Sequence, residues 1–290
     1  MKIKMFEMDK FIIGITEDIG PRVIHFSLKK YPEKNVFAVL PHIVIETEEG
    51  KWHIYGGHRL WTSPENKPRS YSLDNKPVKI EEKNNYIKIS GNIEMHNSVL
   101  KEIEIKKTMK QIEVNHKIKN TGRWPIKFGC WALSVMKKGG FAIIPIKAKK
   151  VDKYGLLPDR HISLWQYTDI SDKRLVLSEN FIFVKQDEKI EKPFKIGTII
   201  NPNWTAYFVD GFLFVKKIQH VEGEYPDFGC NVEVYTNSQF LELETLSPLK
   251  IVEPGDIIEH KEIWDLIEID KLIPDEKEIK NALKNYLPLG

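Results

Sequence analysis

Residues 112–118 read Ile-Glu-Val-Asn-His-Lys-Ile, and this alternation of apolar and polar side chains decides the fold class. Successive side chains of a β-strand point to opposite faces, so such a run predicts a strand with one face in a core and the other toward solvent. The same alternation occurs at 87–89 and 103–105. These runs are typical of half-buried antiparallel strands.

Strand-like runs continue through the rest of the chain, separated by short turn sequences. The pair Asp210-Gly211 lies between two of the runs and suits the positive φ angles of a tight hairpin. The other predicted strands are 23–28, 128–136, 141–146, 181–184, 205–209, 212–218, 231–235, 240–246 and 257–269. We therefore predict an all-β, antiparallel β-sandwich that forms a single domain over residues 1–290.

One helix is predicted, at the end of the chain. Asp275 and Glu278 have the spacing of a capping box, and apolar residues follow at helical spacing up to Leu287. We expect this short C-terminal helix to dock on the sandwich as a lid or brace.

Charge and composition narrow the classes of partner. The 44 basic and 41 acidic residues are scattered, with no basic block, so nucleic acid is not an expected partner. Residues 1–16 lack the apolar stretch of a signal peptide or membrane span, which predicts a cytoplasmic protein that does not bind membranes. Cys130 and Cys230 are expected to be buried thiols. No phosphate-binding or dinucleotide loop occurs, so no cofactor is expected, and a homo-oligomer is left open.

The segment 55–65 concentrates groups that bind sugars. It reads Tyr-Gly-Gly-His-Arg-Leu-Trp-Thr-Ser-Pro-Glu. Glycines allow close backbone approach, His58 and Arg59 can donate to hydroxyl or ring oxygens, Glu65 can bond a hydroxyl, and Trp61 offers a flat face to a pyranose. The alternative is a structural turn with an Arg59–Glu65 ion pair and a core tryptophan.

A second candidate segment places two carboxylates on one strand face. In the run 240–246, Glu242 and Glu244 share a face with Phe240 and Leu246. If that face lines a groove, a partly buried Glu244 with a raised pKa is suited to proton transfer; otherwise both are surface glutamates. Asp227 precedes this strand and is a further candidate for sugar binding, as is Trp131.

These segments resemble the galactose mutarotase-like (aldose 1-epimerase) superfamily. The likeness covers most of the chain: Gly20-Pro21-Arg22-Val23 is similar to its early strand and turn, 56–65 to its sugar-facing loop, 242–244 to the late strand with the catalytic glutamate, and Pro254-Gly255 with Trp264 to its closing strand. The resemblance implies a β-supersandwich with a sugar site on its concave face. It implies Glu244 as the base that opens the sugar ring so that anomers interconvert, with His58 and Arg59 as sugar binders.

The sequence departs from the family where a histidine acid is expected. The comparable stretch, 128–133, reads Phe-Gly-Cys-Trp-Ala-Leu and contains no histidine. His220 or His58 is then the candidate acid. The other candidate functions are a non-catalytic carbohydrate-binding protein and a metal-assisted lyase or isomerase that uses His42, His53 or His58. Those histidines lack a recognised ligand spacing, so we expect no metal.

Two further expectations concern position. We expect 56–65 and 240–246 to meet across one groove, with His58 and Glu244 on the same side of the sandwich. We expect Trp61 to contact ligand without contributing to the core. His116 is in register with the apolar face of its strand and is predicted to be a core histidine.

Overall fold

Two antiparallel sheets make up most of the structure, a computed structural model that describes residues 1–149 and 151–289. The strands are β1 (Ile3–Met8), β2 (Phe11–Thr16), β3 (Arg22–Leu28), β4 (Val39–Thr47), β5 (Gly50–Ser63), β6 (Lys79–Lys83), β7 (Tyr86–Ser90), β8 (Val99–Lys107), β9 (Ile112–Asn120), β10 (Ile126–Met136), β11 (Phe141–Pro145), β12 (Ser163–Leu164), β13 (Leu175–Leu177), β14 (Phe181–Lys185), β15 (Phe194–Thr198), β16 (Trp204–Val209), β17 (Phe212–Ile218), β18 (Val232–Thr236), β19 (Leu241–Leu246), β20 (Lys250–Val252) and β21 (Ile257–Glu268). A 3-10 turn spans Arg69–Tyr71, and the helices are the single turn α1 (Pro226–Gly229) and α2 (Glu276–Leu283). The all-β expectation is confirmed.

The strand order defines two sheets, here called sheet A and sheet B. Sheet A runs β1-β2-β3-β5-β10-β19-β18-β15-β12, with β4 paired to β5 and β20 paired to β10. Sheet B runs β13-β14-β11-β16-β17-β21-β9-β8-β7-β6. The two segments singled out in the sequence, in β5 and β19, both pair with β10, one on each side of it. The fold therefore brings them together at the middle of sheet A.

The apolar faces of the two sheets form a shared core. Phe214 and Trp264 of sheet B pack edge-on against Phe26 and Phe37, with ring centroids 5.4 to 5.8 Å apart. Such edge-to-face contacts are favourable for aromatic pairs beyond the area that they bury. The alternating residues of 112–118 point into this core as predicted, since Ile112, Val114 and Ile118 are fully buried.

The C-terminal helix packs on the outer face of sheet B. The Asp275 carboxylate accepts a hydrogen bond from the backbone N–H of Glu278 at 3.0 Å, which caps α2 as predicted. Ile279 and Leu283 are buried in a cluster that includes Phe181 and Trp204. The helix therefore acts as a brace on sheet B rather than as a lid over sheet A.

The segment 56–65 is a correction to the sequence interpretation, because most of it is strand rather than loop. β5 continues to Ser63 and changes partner at Gly56 and Gly57, from β4 to β10. Both glycines have positive φ, and a Cβ at Gly56 would lie 2.0 Å from the carbonyl oxygen of Ala38. The glycines thus allow a bend within one long strand.

None of the helices in the described part of the chain has the length and apolar character needed to cross a bilayer.

Candidate functional site

Strand β19 carries the two carboxylates on the face that the sequence predicted. Leu241 and Leu243 point into the core between the sheets, whereas Phe240 and Leu246 belong to a separate cluster on the other side. Glu242 and Glu244 lie on that second side, the outer face of sheet A. Both are buried all the same, with 8% and 0% of their surface exposed. They are therefore not ordinary surface glutamates.

A cavity of about 310 Å³ opens on this outer face and is walled mainly by aromatic side chains. We call it the aromatic cavity. Its charged lining residues are Arg59, Glu65, Lys195 and Glu242. Its aromatic lining residues are Trp52, Trp61, Tyr71, Trp131, Trp165, Tyr167, Tyr235 and Phe240. Aromatic walls with a few convergent polar groups are typical of a small-molecule site.

Arg59 and Glu242 form an ion pair at the cavity. One Arg59 Nη lies 2.8 Å from the Glu242 carboxylate, and the guanidinium centre lies 4.5 Å from the centroid of the Trp61 ring. Although only 3% of Arg59 is exposed, its Nε and its other Nη have no hydrogen-bond partner among the described residues. Unpaired buried donors are costly, so this guanidinium is available to bond an acceptor.

Lys195 joins two buried carboxylates next to the cavity. Its ammonium lies 2.7 Å from Glu233 and 3.0 Å from Glu244, and between the rings of Trp131 and Trp165 at 4.5 and 4.7 Å. This arrangement places one ammonium group against two carboxyl groups.

The indole N–H of Trp131 also donates to Glu244 at 2.8 Å, while the other oxygen of Glu244 has no partner in the part of the chain that the structure describes. Glu244 does not line the cavity itself; it lies one layer deeper, behind Trp131 and Lys195.

The protonation of this trio follows from burial. Burial raises the pKa of Glu244, and raises that of Glu233 more strongly, because a desolvated carboxylate loses hydration. Burial alone lowers the pKa of Lys195, but the two carboxylates outweigh that effect and raise it well above its usual value. Lys195 therefore stays protonated at neutral pH.

Four of the predicted sugar-binding residues line the aromatic cavity: Arg59, Trp61, Glu65 and Trp131. Glu65 accepts a hydrogen bond from the Tyr71 hydroxyl at 2.6 Å and does not pair with Arg59. Trp61, however, is only 7% exposed and packs on Trp52, Tyr71 and Trp131. The expectation that Trp61 does not contribute to a core is wrong, because its ring is buried in the apolar cluster on the outer face of sheet A. The same ring lines the aromatic cavity.

His58 is on the wrong side for the single-groove prediction. Its side chain points between the sheets, where it bonds Ser134 at 2.8 Å and His116 at 2.6 Å, and it is fully buried. Strand parity explains this, since His58 and Arg59 are neighbours on β5 and point to opposite faces. Glu244 and His58 thus lie on opposite faces of sheet A, and His58 cannot contact a ligand in the aromatic cavity.

His220 and Asp227 also lie away from the aromatic cavity. His220 is exposed and stacks near Tyr225, with ring centroids 6.1 Å apart. The backbone carbonyl of Asp227, in α1, accepts a hydrogen bond from Ser163. Neither residue lines the aromatic cavity, so His220 cannot be the acid there and Asp227 cannot bind a sugar there. No histidine is among the described residues that line this cavity.

Sequence reasoning missed Lys195, Glu233 and Tyr71. The only signal for Lys195 is its place at the start of the short run Phe-Lys-Ile-Gly-Thr, where a lysine lies among apolar neighbours in a strand. That pattern is also common for lysines that face solvent, and the partners Glu233 and Glu244 come from two other strands.

A second buried polar cluster lies between the sheets. His58, His116 and Glu262 bring their ligand atoms within 4.8 Å of one another, which is a spacing that a metal ion could use. Glu262 also accepts from Trp264 at 2.6 Å and pairs with Lys216 at 2.9 Å. His116 is the core histidine that its register predicted.

The hydrogen bonds of this cluster are accounted for without an ion. The His116 Nδ1–H donates to the carbonyl of His260 at 2.9 Å, so its Nε2 accepts. His58 then donates from Nε2 to His116 and accepts from the Ser134 hydroxyl. Because Lys216 already neutralises Glu262, the cluster is better explained as an internal brace between the sheets than as a metal centre.

Solved structures with the same fold include two proteins described as mutarotase relatives. A galactose mutarotase-like protein from Lactobacillus casei aligns over 92% of this chain and 100% of its own, with 9% identity and a TM-score of 0.56. A galactose mutarotase related enzyme from Lactobacillus acidophilus aligns over 93% and 100%, with 11% identity and a TM-score of 0.54. This chain therefore has the galactose mutarotase-like fold.

The fold is also found as part of a longer protein. A TPR-domain containing protein from Parabacteroides distasonis aligns over 94% of this chain and 49% of its own, with 13% identity and a TM-score of 0.61. No protein-family model and no curated protein matches the sequence.

Proposed function

We propose that the aromatic cavity binds a monosaccharide and that acid and base groups beside it interconvert the anomers of that sugar. The observation that carries the proposal is the combination of tryptophan walls with two buried ion pairs, Arg59–Glu242 and Lys195–Glu244, on one face of sheet A. Indole faces stack on the apolar side of a pyranose, and charged groups bond its hydroxyls. The fold of the mutarotase relatives supports a sugar as the ligand class.

Anomer interconversion needs a base at the anomeric hydroxyl and an acid at the ring oxygen. Lys195 is the proposed acid, since it lines the cavity and its ammonium lies 3.0 Å from Glu244, which places a proton-donating group next to the proposed base. Glu244 is the proposed base because one of its oxygens has no partner among the described residues and burial raises its pKa, which makes the carboxylate a stronger base. For direct contact with the anomeric hydroxyl, Trp131 or Lys195 must shift to open a path to Glu244.

Glu242 is the alternative base. It lines the cavity directly, but its carboxylate is paired with Arg59. We assign it to binding, because it lines the cavity and its pairing with Arg59 holds it in place to orient a hydroxyl group, whereas Glu244 has an oxygen without a partner among the described residues and a pKa that burial raises.

The glutamine variants separate these roles. Gln is close to Glu in shape and cannot act as the base, so Glu244→Gln should slow mutarotation by about two to four orders of magnitude, measured by polarimetry or exchange NMR. Glu242→Gln should mainly raise KM, by about tenfold, with kcat less affected. Glu253→Gln, at an exposed position outside the cavity, is the matched control.

One result would contradict the enzymatic function, and another would contradict the assignment of the base. A wild-type protein that binds sugar without accelerating mutarotation would show a non-catalytic binding protein. A non-catalytic sugar-binding protein is the second candidate function, and it is favoured by the pairing of the cavity's charged groups with one another. A Glu244→Gln variant with full activity and an inactive Glu242→Gln variant would move the base to Glu242.

A further inference from the structure

A second and larger cavity shares two lining residues with the aromatic cavity. It has a volume of about 590 Å³ and lies between the Gly20-Pro21 turn, the loop after β5 and the segment 92–96. Arg59 and Trp61 line both cavities. The two cavities therefore share two residues of β5 in their walls.

Two residues that line the second cavity, Arg59 and Asp74, carry unpartnered polar atoms among the described residues. Arg59 is nine-tenths buried or more, yet its Nε and one Nη have no hydrogen-bond partner among the described residues. In the second cavity one oxygen of Asp74 is buried with no partner within residues 1–149 and 151–289, while the other pairs with Arg22 at 2.6 Å. A free donor and a free acceptor are what a hydroxyl-rich ligand satisfies, since each hydroxyl both donates and accepts.

The rest of the lining also suits a sugar ring. Leu73, Ile93 and Met95 offer apolar surface, and Lys76 and Glu49 offer charged groups around it. Both signs of charge are present, so the cavity is not built for a polyanion. The aromatic cavity alone is at the low end of the size range of ligand sites, whereas the second cavity lies well inside that range.

We propose that the second cavity is another saccharide subsite, so that the preferred ligand is an oligosaccharide with one ring in each cavity. Arg59 and Trp61 lie at the junction, where they contact both rings. This inference rests on the proposed sugar-binding function of the aromatic cavity and adds the substrate class to it.

Isothermal titration calorimetry with matched sugars tests the inference. The probes are glucose and galactose, with maltose, cellobiose, lactose and maltotriose as their extended counterparts. At least one di- or trisaccharide should bind about tenfold or more tightly than its monosaccharide, because the second ring adds contacts at little further loss of freedom.

A blocking variant identifies the cavity responsible. Ile93→Trp adds bulk at a half-exposed lining position and should abolish the advantage of the longer sugar while leaving monosaccharide affinity unchanged. Ile251→Trp, on exposed β20 outside both cavities, is the control and should change neither. Circular dichroism and a melting curve of each variant establish that both are folded.

The outcomes distinguish the two proposals. Equal affinity for mono- and oligosaccharides, or an oligosaccharide advantage that survives Ile93→Trp, would overturn the second subsite and leave the sugar-binding function standing. Absence of binding by every sugar in the panel would overturn both.

Discussion

At the scale of single residues, charged groups that are buried in pairs define the candidate site. Arg59 and Lys195 each hold a carboxylate of β19, at 2.8 and 3.0 Å. Breaking such a pair by removing one partner costs much more than an exposed pair contributes, because the remaining charge is left without compensation. The same rule applies to Lys216 and Glu262 between the sheets.

Trp165 tests the aromatic wall with little effect on packing. It is partly exposed, lines the aromatic cavity and covers Lys195. Trp165→Ala should weaken sugar affinity about tenfold by calorimetry, since a stacked indole contributes on the order of 1 kcal/mol. Its melting temperature should change little. Trp124→Ala, at a 77% exposed indole outside the cavity, is the control; equal affinities of the two variants would remove Trp165 from the site.

Lys216 tests the polar cluster between the sheets. Its ammonium is fully buried, 2.9 Å from Glu262, and also bonds the carbonyls of Ala132 and Leu243. Lys216→Met should lower the free energy of unfolding by about 3–5 kcal/mol in urea denaturation, since it leaves the Glu262 charge buried.

Two matched variants show whether the charge is the cause. Adding Glu262→Gln to Lys216→Met should restore part of the loss, because no uncompensated carboxylate remains. Lys261 lies on β21 next to Glu262 and forms a partly exposed pair with Glu113 of β9, so Lys261→Met should cost less than about 1 kcal/mol. A Lys216→Met loss no larger than that of Lys261→Met would contradict the proposed brace.

At the scale of elements, apolar and alternating runs in the sequence predicted the positions of strands well. The run 212–218 coincides with β17, and Asp210-Gly211 forms the two-residue turn before it, with φ of 52° and 83°. The run 55–65 was misread because its glycines look like loop residues. Their positive φ accommodates a change of partner strand inside β5, and pairing with β4 and β10 is not visible in the local sequence.

The cap of α2 is an element-scale test. Asp275→Ala removes the acceptor of the Glu278 N–H and should lower stability by about 1 kcal/mol in urea denaturation. Asp275→Asn should retain most of the wild-type stability, because an amide oxygen can also accept the hydrogen bond from the Glu278 N–H. The Trp204 indole donates to the carbonyl of Pro288, so tryptophan fluorescence reports whether the chain end detaches. Identical stabilities of all three proteins would show that α2 docks through Ile279 and Leu283 alone.

At the scale of the whole molecule, the two sheets explain which site residues the sequence could predict. Parity along β19 correctly placed Glu242 and Glu244 with Phe240 and Leu246, because period two is a local property of a strand. It did not show that Glu244 lies behind Lys195, a residue brought in by β15 two strands away in sheet A. His58 was misassigned because one residue along a strand decides between the cavity and the core.

The central claim is that the outer face of sheet A binds a sugar ring between Trp61, Trp131 and Trp165, next to Arg59 and Lys195. The most direct test is a crystal structure of the protein soaked with the tightest-binding sugar from the calorimetric panel. The account predicts a pyranose in the aromatic cavity, with a hydroxyl or ring oxygen within hydrogen-bonding distance of Lys195 or Arg59. A sugar bound elsewhere on the molecule, with the aromatic cavity left without ligand, would contradict it.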